Sequence, residues 1–406
     1  MSTAPWILAG RGVLADARTW LEGGGLWIER GRIRRLLVTR GAVHRARARV
    51  GRSVELEDRV LTPGLVNAHA HLDLGSLHGR VSAQGGFVAW VRALVAERRT
   101  LAREDFERGV LTGARALLAS GTTAVGDIDA SGASARLAAS LGPRIVVHRE
   151  LLDAWDPART AEALGSVRRE LRATGRVREG LSPHAPYTTS PGLLAGARAV
   201  ARRRGLSVTI HWAETSEERE WLERARGPLA AVLPASPRRS GLELLRRAGM
   251  LSRRTSLVHG NDPRAGELAL LARRGVTLVH CPGTHAFFGR PRFALARVRA
   301  AGIPLALGTD SLASNEALDM RREMALLRAA FPRLAPAEVF AMATEGGARA
   351  LAWPGLGHLR VGAQADVVAW RLAAEGRNEV LEELTAARAP VERVFVAGRA
   401  VEGREN

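Results

Sequence analysis

Short apolar runs alternate with Ala/Leu/Arg stretches of amphipathic spacing through the middle of the chain, the pattern of a parallel sheet covered by helices. Eight runs read as strands: Leu65–His71, Thr122–Ile128, Arg144–Glu150, Gly180–His184, Ser207–Trp212, Thr255–His259, Val276–Cys281 and Pro304–Thr309. Eight such strands with intervening helices close a (β/α)8 barrel, whose chemistry sits at the C-terminal strand ends. Nearly every polar residue that interrupts the runs falls at that end, among them His69, His71, His184, His211, His259 and Asp310. The expected fold class is therefore α/β, a distorted (β/α)8 TIM barrel.

The flanks have a different texture. Residues 1–60 and 355–406 carry short β-like pieces such as Leu26–Ile28, Val367–Trp370 and Val391–Val396, separated by Gly-rich turns. Neither flank can build its own core, so the two are expected to meet in a small composite β-sandwich, leaving 61–354 as the barrel. Residues 212–250, with Gly227-Pro228 and Pro234 to Pro237, read as an irregular insertion after the fifth strand.

Composition narrows the class further. The chain has 406 residues and 46% hydrophobic content, enough for one large domain with an appendage. Cys281 is the single cysteine, which excludes an intrachain disulfide and a Cys-rich zinc finger and points to a reducing compartment. The start, Met1 to Trp6, lacks the pattern of a secretory leader, and no apolar run reaches membrane-spanning length. A cytoplasmic protein with no membrane partner is expected. The net charge of +19 raises nucleic acid as a partner, but all 60 basic residues are arginine, spread along the chain, and aromatics make up only 4%. Phosphate-backbone binders concentrate their charge and add stacking rings. A small-molecule substrate, and no nucleic acid, is the expectation. A homodimer is admitted because symmetric soluble enzymes are commonly dimers.

In a strand, side chains alternate faces, so His69 and His71 point the same way and can grip one metal ion. His211 at the fifth strand end and Asp310 at the eighth would converge with them, giving three imidazoles and a carboxylate. That set suits Zn2+, with Fe2+ not separable by ligand type, and leaves a position for water. Glu214, three residues beyond His211, is placed to pass a proton to the atom under attack. His259 can orient the nucleophile, and Asp310 can accept its proton.

The strings Asn67-Ala68-His69-Ala70-His71, His211-Trp212-Ala213-Glu214, His259-Gly260-Asn261, His280-Cys281-Pro282 and Gly308-Thr309-Asp310-Ser311 resemble the amidohydrolase superfamily, specifically its cytosine/adenosine-type deaminase and chlorohydrolase branch. The resemblance spans nearly the whole chain. It implies a mononuclear Zn2+ or Fe2+ held by His69, His71, His211 and Asp310, with catalysis by Glu214, His259 and Asp310. Binuclear members generally bridge their metals with a carbamylated lysine, and this chain contains no lysine at all.

The expected reaction is hydrolytic deamination of a 6-aminopurine nucleoside or related N-heterocycle, aminodeoxyfutalosine among them, with release of ammonia. Chloride release, or a guanine or cytosine ring, uses the same centre and stands as the alternative; a non-catalytic basic binding protein is the alternative from another class. His184, His285, Arg149 and Ser314 are the expected substrate contacts, with Arg80 and Arg290 as further candidates for a substrate carboxylate. Two departures from the branch pattern stand out. Arg99 occupies the place where an acid downstream of the tryptophan holds ribose hydroxyls, with Glu97 nearby but displaced. Thr284-His285 replaces the common Ser-Asn.

Overall fold

The computed structural model describes residues 4–234 and 236–401. The reading of Met1 to Thr3, and the last five residues of the expected C-terminal flank, lie outside the described residues.

Strands β1 (Trp6–Leu14), β2 (Trp20–Glu22), β3 (Gly25–Glu29), β4 (Arg32–Leu37) and β5 (Ser53–Pro63) come from the N-terminal flank. The parallel strands follow: β6 (Leu65–His71), β7 (Thr122–Asp129), β8 (Arg144–Leu151), β9 (Val177–Pro183), β10 (Ser207–Trp212), β11 (Thr255–His259), β12 (Thr277–His280), β13 (Leu305–Leu307) and β14 (Asp310–Ser311). The C-terminal flank adds β15 (Val367–Trp370), β16 (Val391–Val396) and β17 (Arg399–Val401).

The terminal strands form one eight-stranded sheet in the order β17-β16-β15-β5-β1-β3-β4, with β2 beside β1. The two ends of the chain meet where Val367–Trp370 pairs antiparallel with Val60–Pro63. One face buries Leu8, Leu26, Ile28, Ile33, Leu61 and Phe395. The other receives Val43 and Ala46 of the helix Arg40–Arg47, an element with no counterpart in the sequence reading.

The barrel sheet runs β13-β12-β11-β10-β9-β8-β7-β6-β14. Its eighth strand is broken. Leu305–Leu307 pairs with β12, whereas Asp310 and Ser311 pair with Ala70 and His71 of β6, so closure is carried by the second half alone. Gly308 lies at the break, and a Cβ there would sit 2.9 Å from both the Cβ and the carbonyl oxygen of His69. Only glycine permits that approach.

Inner and outer faces follow from strand alternation. On β8, Ile145 and Val147 pack outward against Val110, Ala114 and Leu117 of the helix Arg103–Ala119. His148 points inward, its ring beside Gly126 and Gly180. The segment expected to be irregular holds the helices Ser216–Arg224 and Gly241–Arg247 around a short 3-10 turn, Pro228–Ala231. Thr215 and Ser240 cap these helices, and a few apolar anchors, Trp221 and Leu222 first among them, fix the first one. Such a charged helix leaves little periodic signal.

Arg144, at the start of β8, joins the two sheets. Its guanidinium grips Asp366 at 2.6 and 3.0 Å and Gln364 at 2.8 Å, and both ionic side chains are almost wholly buried. Removing one partner of a buried pair strands the other charge. Asp366→Ala is expected to lower unfolding free energy by about 3–5 kcal/mol in a denaturant titration. Glu243→Ala, which breaks exposed contacts with Arg246 and Arg247, should leave the unfolding midpoint nearly unchanged.

Candidate metal centre and active site

Strand ends β6, β10 and β14 bring His69, His71, His211 and Asp310 to one point. His71 Nε2 lies 3.3 Å from His211 Nε2, and Asp310 Oδ1 lies 3.5 Å from His69 Nε2 and 3.6 Å from His71 Nε2. Donor atoms about 2.0–2.1 Å from a tetrahedral ion stand roughly 3.3–3.5 Å apart. These three spacings lie close to that range, and the donor atoms of His69, His71 and His211, like those of His69, His259 and Asp310, lie within 4.8 Å of one another.

Hydrogen bonding points to the same reading. His211 Nδ1 lies 2.9 Å from the His184 carbonyl, which can only accept, so Nδ1 carries the proton and Nε2 presents a lone pair inward. Both ring nitrogens of His69 are buried without a hydrogen-bond partner. An orphaned imidazole at zero exposure is costly unless something electrophilic meets it. Burial lowers His69 to about 3 and holds His71 and His211 well below the ordinary histidine value, so all three imidazoles are neutral at physiological pH.

Asp310 is held in place by its surroundings. It adopts φ +59°, a conformation strained for a non-glycine residue. Oδ1 accepts from its neighbour Ser311 N at 2.9 Å, and Oδ2 lies 3.3 Å from Ser314 Oγ. Asn67 ties the preceding residue down, donating to Thr309 Oγ1 at 2.7 Å and accepting from Thr309 N at 3.2 Å.

Above the imidazoles, Glu214 Oε2 stands 3.8 Å from His259 Nε2, and Glu214 Oε1 stands 3.9 Å from an Arg290 nitrogen. His259 also has a positive φ, +74°, which swings its ring over His211 with ring centres 5.4 Å apart. Burial is the main influence on Glu214 and raises it to about 8, against the opposing pull of Arg290. The carboxyl therefore carries a proton at neutral pH. Glu218, which the sequence reading missed, accepts from Glu214 N at 3.1 Å; its only signal was a carboxylate one helical turn further on.

The expected substrate contacts divide. His184 stands beside the centre, its ring 4.8 Å from that of His211 and its Nδ1 2.7 Å from Thr188 Oγ1. Ser314 braces Asp310 from a buried position. His285 faces Asn261 Oδ1 at 3.1 Å and Pro291 O at 2.8 Å. Arg149 is not brought to the centre. It shares the outward face of β8, donates to the carbonyls of Ser166 and Arg169, and faces Glu179 at 3.8 Å. Arg80 is engaged with Glu97. Arg290 does reach the site, its guanidinium held between the rings of Phe87 and Phe288 at 5.4 and 4.8 Å.

A model of the amidohydrolase family matches residues 60–401. The 5-methylthioadenosine/S-adenosylhomocysteine deaminase of Nitratidesulfovibrio vulgaris is 32% identical over 384 residues, covering 90% of this chain and 83% of the relative. An adenosine deaminase from Xanthomonas campestris, solved with bound zinc, superposes with TM-score 0.81 at 27% identity over 97% of this chain and 92% of that one. Helicobacter pylori aminofutalosine deaminase, in complex with methylthio-coformycin, shares the fold at TM-score 0.84, with 20% identity over 97% and 99% of the two chains. The chain belongs to the amidohydrolase family. It is a hydrolase of that family's deaminase branch, and it carries a histidine triad able to hold a metal ion.

Elemental analysis of the purified protein is expected to find one divalent ion per chain. His211→Ala should lower metal affinity by at least about 100-fold in a chelator competition, and unchanged metal content in that variant would contradict the ligand set.

Proposed function

We propose that this enzyme deaminates a 6-aminopurine nucleoside or a related N-heterocycle, aminodeoxyfutalosine among them, using His69, His71, His211 and Asp310 as the ligands of one divalent ion, with Zn2+ the best fit to the donor set. The observation that carries this reading is Glu214: a buried carboxyl kept protonated at neutral pH, 3.8 Å from His259 and beside the four ligands. The relatives named above, which act on adenosine-type compounds by their names, support the substrate class.

An amidine carbon in an aromatic ring resists water until the adjacent ring nitrogen is protonated. Glu214 supplies that proton. A divalent ion in the centre supplies Lewis-acid activation of the attacking water, lowering its pKa towards neutrality. Asp310, fixed by Ser311 and Ser314, accepts the proton the water gives up. His259 hydrogen-bonds the oxygen as the carbon becomes tetrahedral. The proton on Asp310 then passes to the exocyclic amino group, the C–N bond breaks as the remaining hydroxyl proton returns to Glu214, and ammonia leaves with a carbonyl in its place. His184, next to His211, is the side chain best placed to contact the ring or its substituent.

Glu214→Gln keeps the shape and the metal ligands but cannot transfer a proton, so turnover should fall by about 10²–10⁴-fold with metal content unchanged. Because the group acts in its protonated form, kcat/KM should hold below pH 8 and decline about tenfold per unit above it. A profile flat to pH 9.5 would contradict the assignment. A substrate panel decides the class: ammonia from adenosine, methylthioadenosine, S-adenosylhomocysteine or aminodeoxyfutalosine supports it. Chloride release from a chlorotriazine without turnover of any purine nucleoside overturns it.

A further inference from the structure

His285, one of the two residues that depart from the branch pattern after β12, sits in the short helix Pro282–Phe287, and residues 290–294 beyond it have no regular structure. Arg290 belongs to that irregular stretch. Its Nη2 is buried with no hydrogen-bond partner, 3.9 Å from Glu214 Oε1. Pro291 has no backbone N–H, so the stretch has little backbone hydrogen bonding of its own to hold it. Side chains do that work instead, in a closed circuit. Asn261 Nδ2 donates to Glu214 O at 3.0 Å, Asn261 Oδ1 faces His285 Nδ1 at 3.1 Å, and His285 Nε2 faces Pro291 O at 2.8 Å. Arg290 N donates to His285 O at 3.1 Å, and the Arg290 side chain returns the circuit to Glu214.

A carbonyl oxygen only accepts, and Glu214 O fixes which way the Asn261 amide is turned, so each ring nitrogen of His285 meets an acceptor. Both contacts are hydrogen bonds at once only when the ring carries two protons. Burial first, and the Arg290 charge after it, lower His285 below the ordinary histidine value against the opposing pull of Pro291 O, and His280 also faces it, with ring centres 5.2 Å apart. The ring is therefore neutral at pH 7, and its one proton belongs on Nε2, toward the closer acceptor. That tautomer ties down Pro291, while Asn261 keeps its own anchors on Glu214 O and, through its N–H, on Ala213 O at 2.8 Å.

We propose that His285 is a positioning residue: by fastening Pro291 it holds the Arg290 guanidinium beside Glu214, and so places the cation that faces the proton donor. This rests on the reading of Glu214 as that donor and goes beyond it by naming what fixes the charge opposite. A cation near a carboxyl favours the ionised form, with a strength that falls as the separation grows. Freeing Arg290 must therefore let burial raise Glu214 further. His259, Asp310, Glu217, Glu218 and Tyr187 also face Glu214, and they are the same in every variant below.

The test follows kcat/KM for ammonia release against pH in the metal-loaded wild type, His285→Leu, Arg290→Gln and the double variant. Arg290→Gln removes the cation and should move the alkaline limb up by about one unit. His285→Leu should move it in the same direction by about half a unit. The double variant should match Arg290→Gln alone, because the tie then has no charge left to position. A limb that His285→Leu leaves unmoved or moves down, a limb that Arg290→Gln leaves unmoved, or shifts that add in the double variant overturn the role of His285 while leaving Glu214 as the donor. A wild type with no alkaline limb, or with no ammonia from any nucleoside, overturns the reading of Glu214 and this proposal with it. Should His285→Leu fail to fold, the wild type decides: the ring-nitrogen NMR spectrum at neutral pH should show His285 protonated at Nε2, and a proton on Nδ1 alone overturns the tie.

Discussion

The active centre depends on one close approach of backbone to backbone. Gly308 lies against His69 so tightly that any side chain would collide with it, and Thr309 N donates to the His69 carbonyl at 3.0 Å. That contact breaks the eighth strand. It also turns the chain into the left-handed conformation at Asp310, which delivers a carboxylate from one end of the sheet to imidazoles from the other. Interiors as dense as organic crystals make this geometry stiff. Asn67 ties both sides together, accepting from His69 N at 3.2 Å and bonding Thr309 through its amide. Asp310 and His259 both hold their side chains at the centre from a left-handed backbone.

Burial does the electrostatic work. The same dry environment depresses the histidines and raises Glu214, so neutral imidazoles and a protonated carboxyl coexist at one pH. A single physical cause pushes bases and acids in opposite chemical directions. Arg290 moderates the effect at Glu214 without cancelling it, and its own charge is spread against two aromatic rings.

Much of this was legible in the chain because the relevant signals are local. The boundaries of β6, β10 and β11 coincide with their apolar runs, since a buried parallel strand must be apolar along its length until the mouth, where the first polar side chain marks the site. His69, His71, His211 and Asp310 were readable for that reason. What was not legible depends on contacts between distant residues. No local pattern announces that Arg144 reaches Asp366, or that Asn67 ties down Thr309. The run Pro304–Thr309 reads as one strand, and only the crowding at His69 shows why it must break. The helices after β10 are short and charged, and they are defined by hydroxyl caps more than by periodicity.

The union of the two chain ends has a consequence for biosynthesis. β5 finds its neighbour β15 only after the whole barrel has been translated, and Arg144 meets Asp366 across a sequence separation of 222 residues. Until β15 and Asp366 have been made, β5 therefore keeps an open edge at Val60 and Leu61, and Arg144 of β8 lacks its anion. An exposed strand edge of that kind invites pairing with other chains until the closing strand arrives.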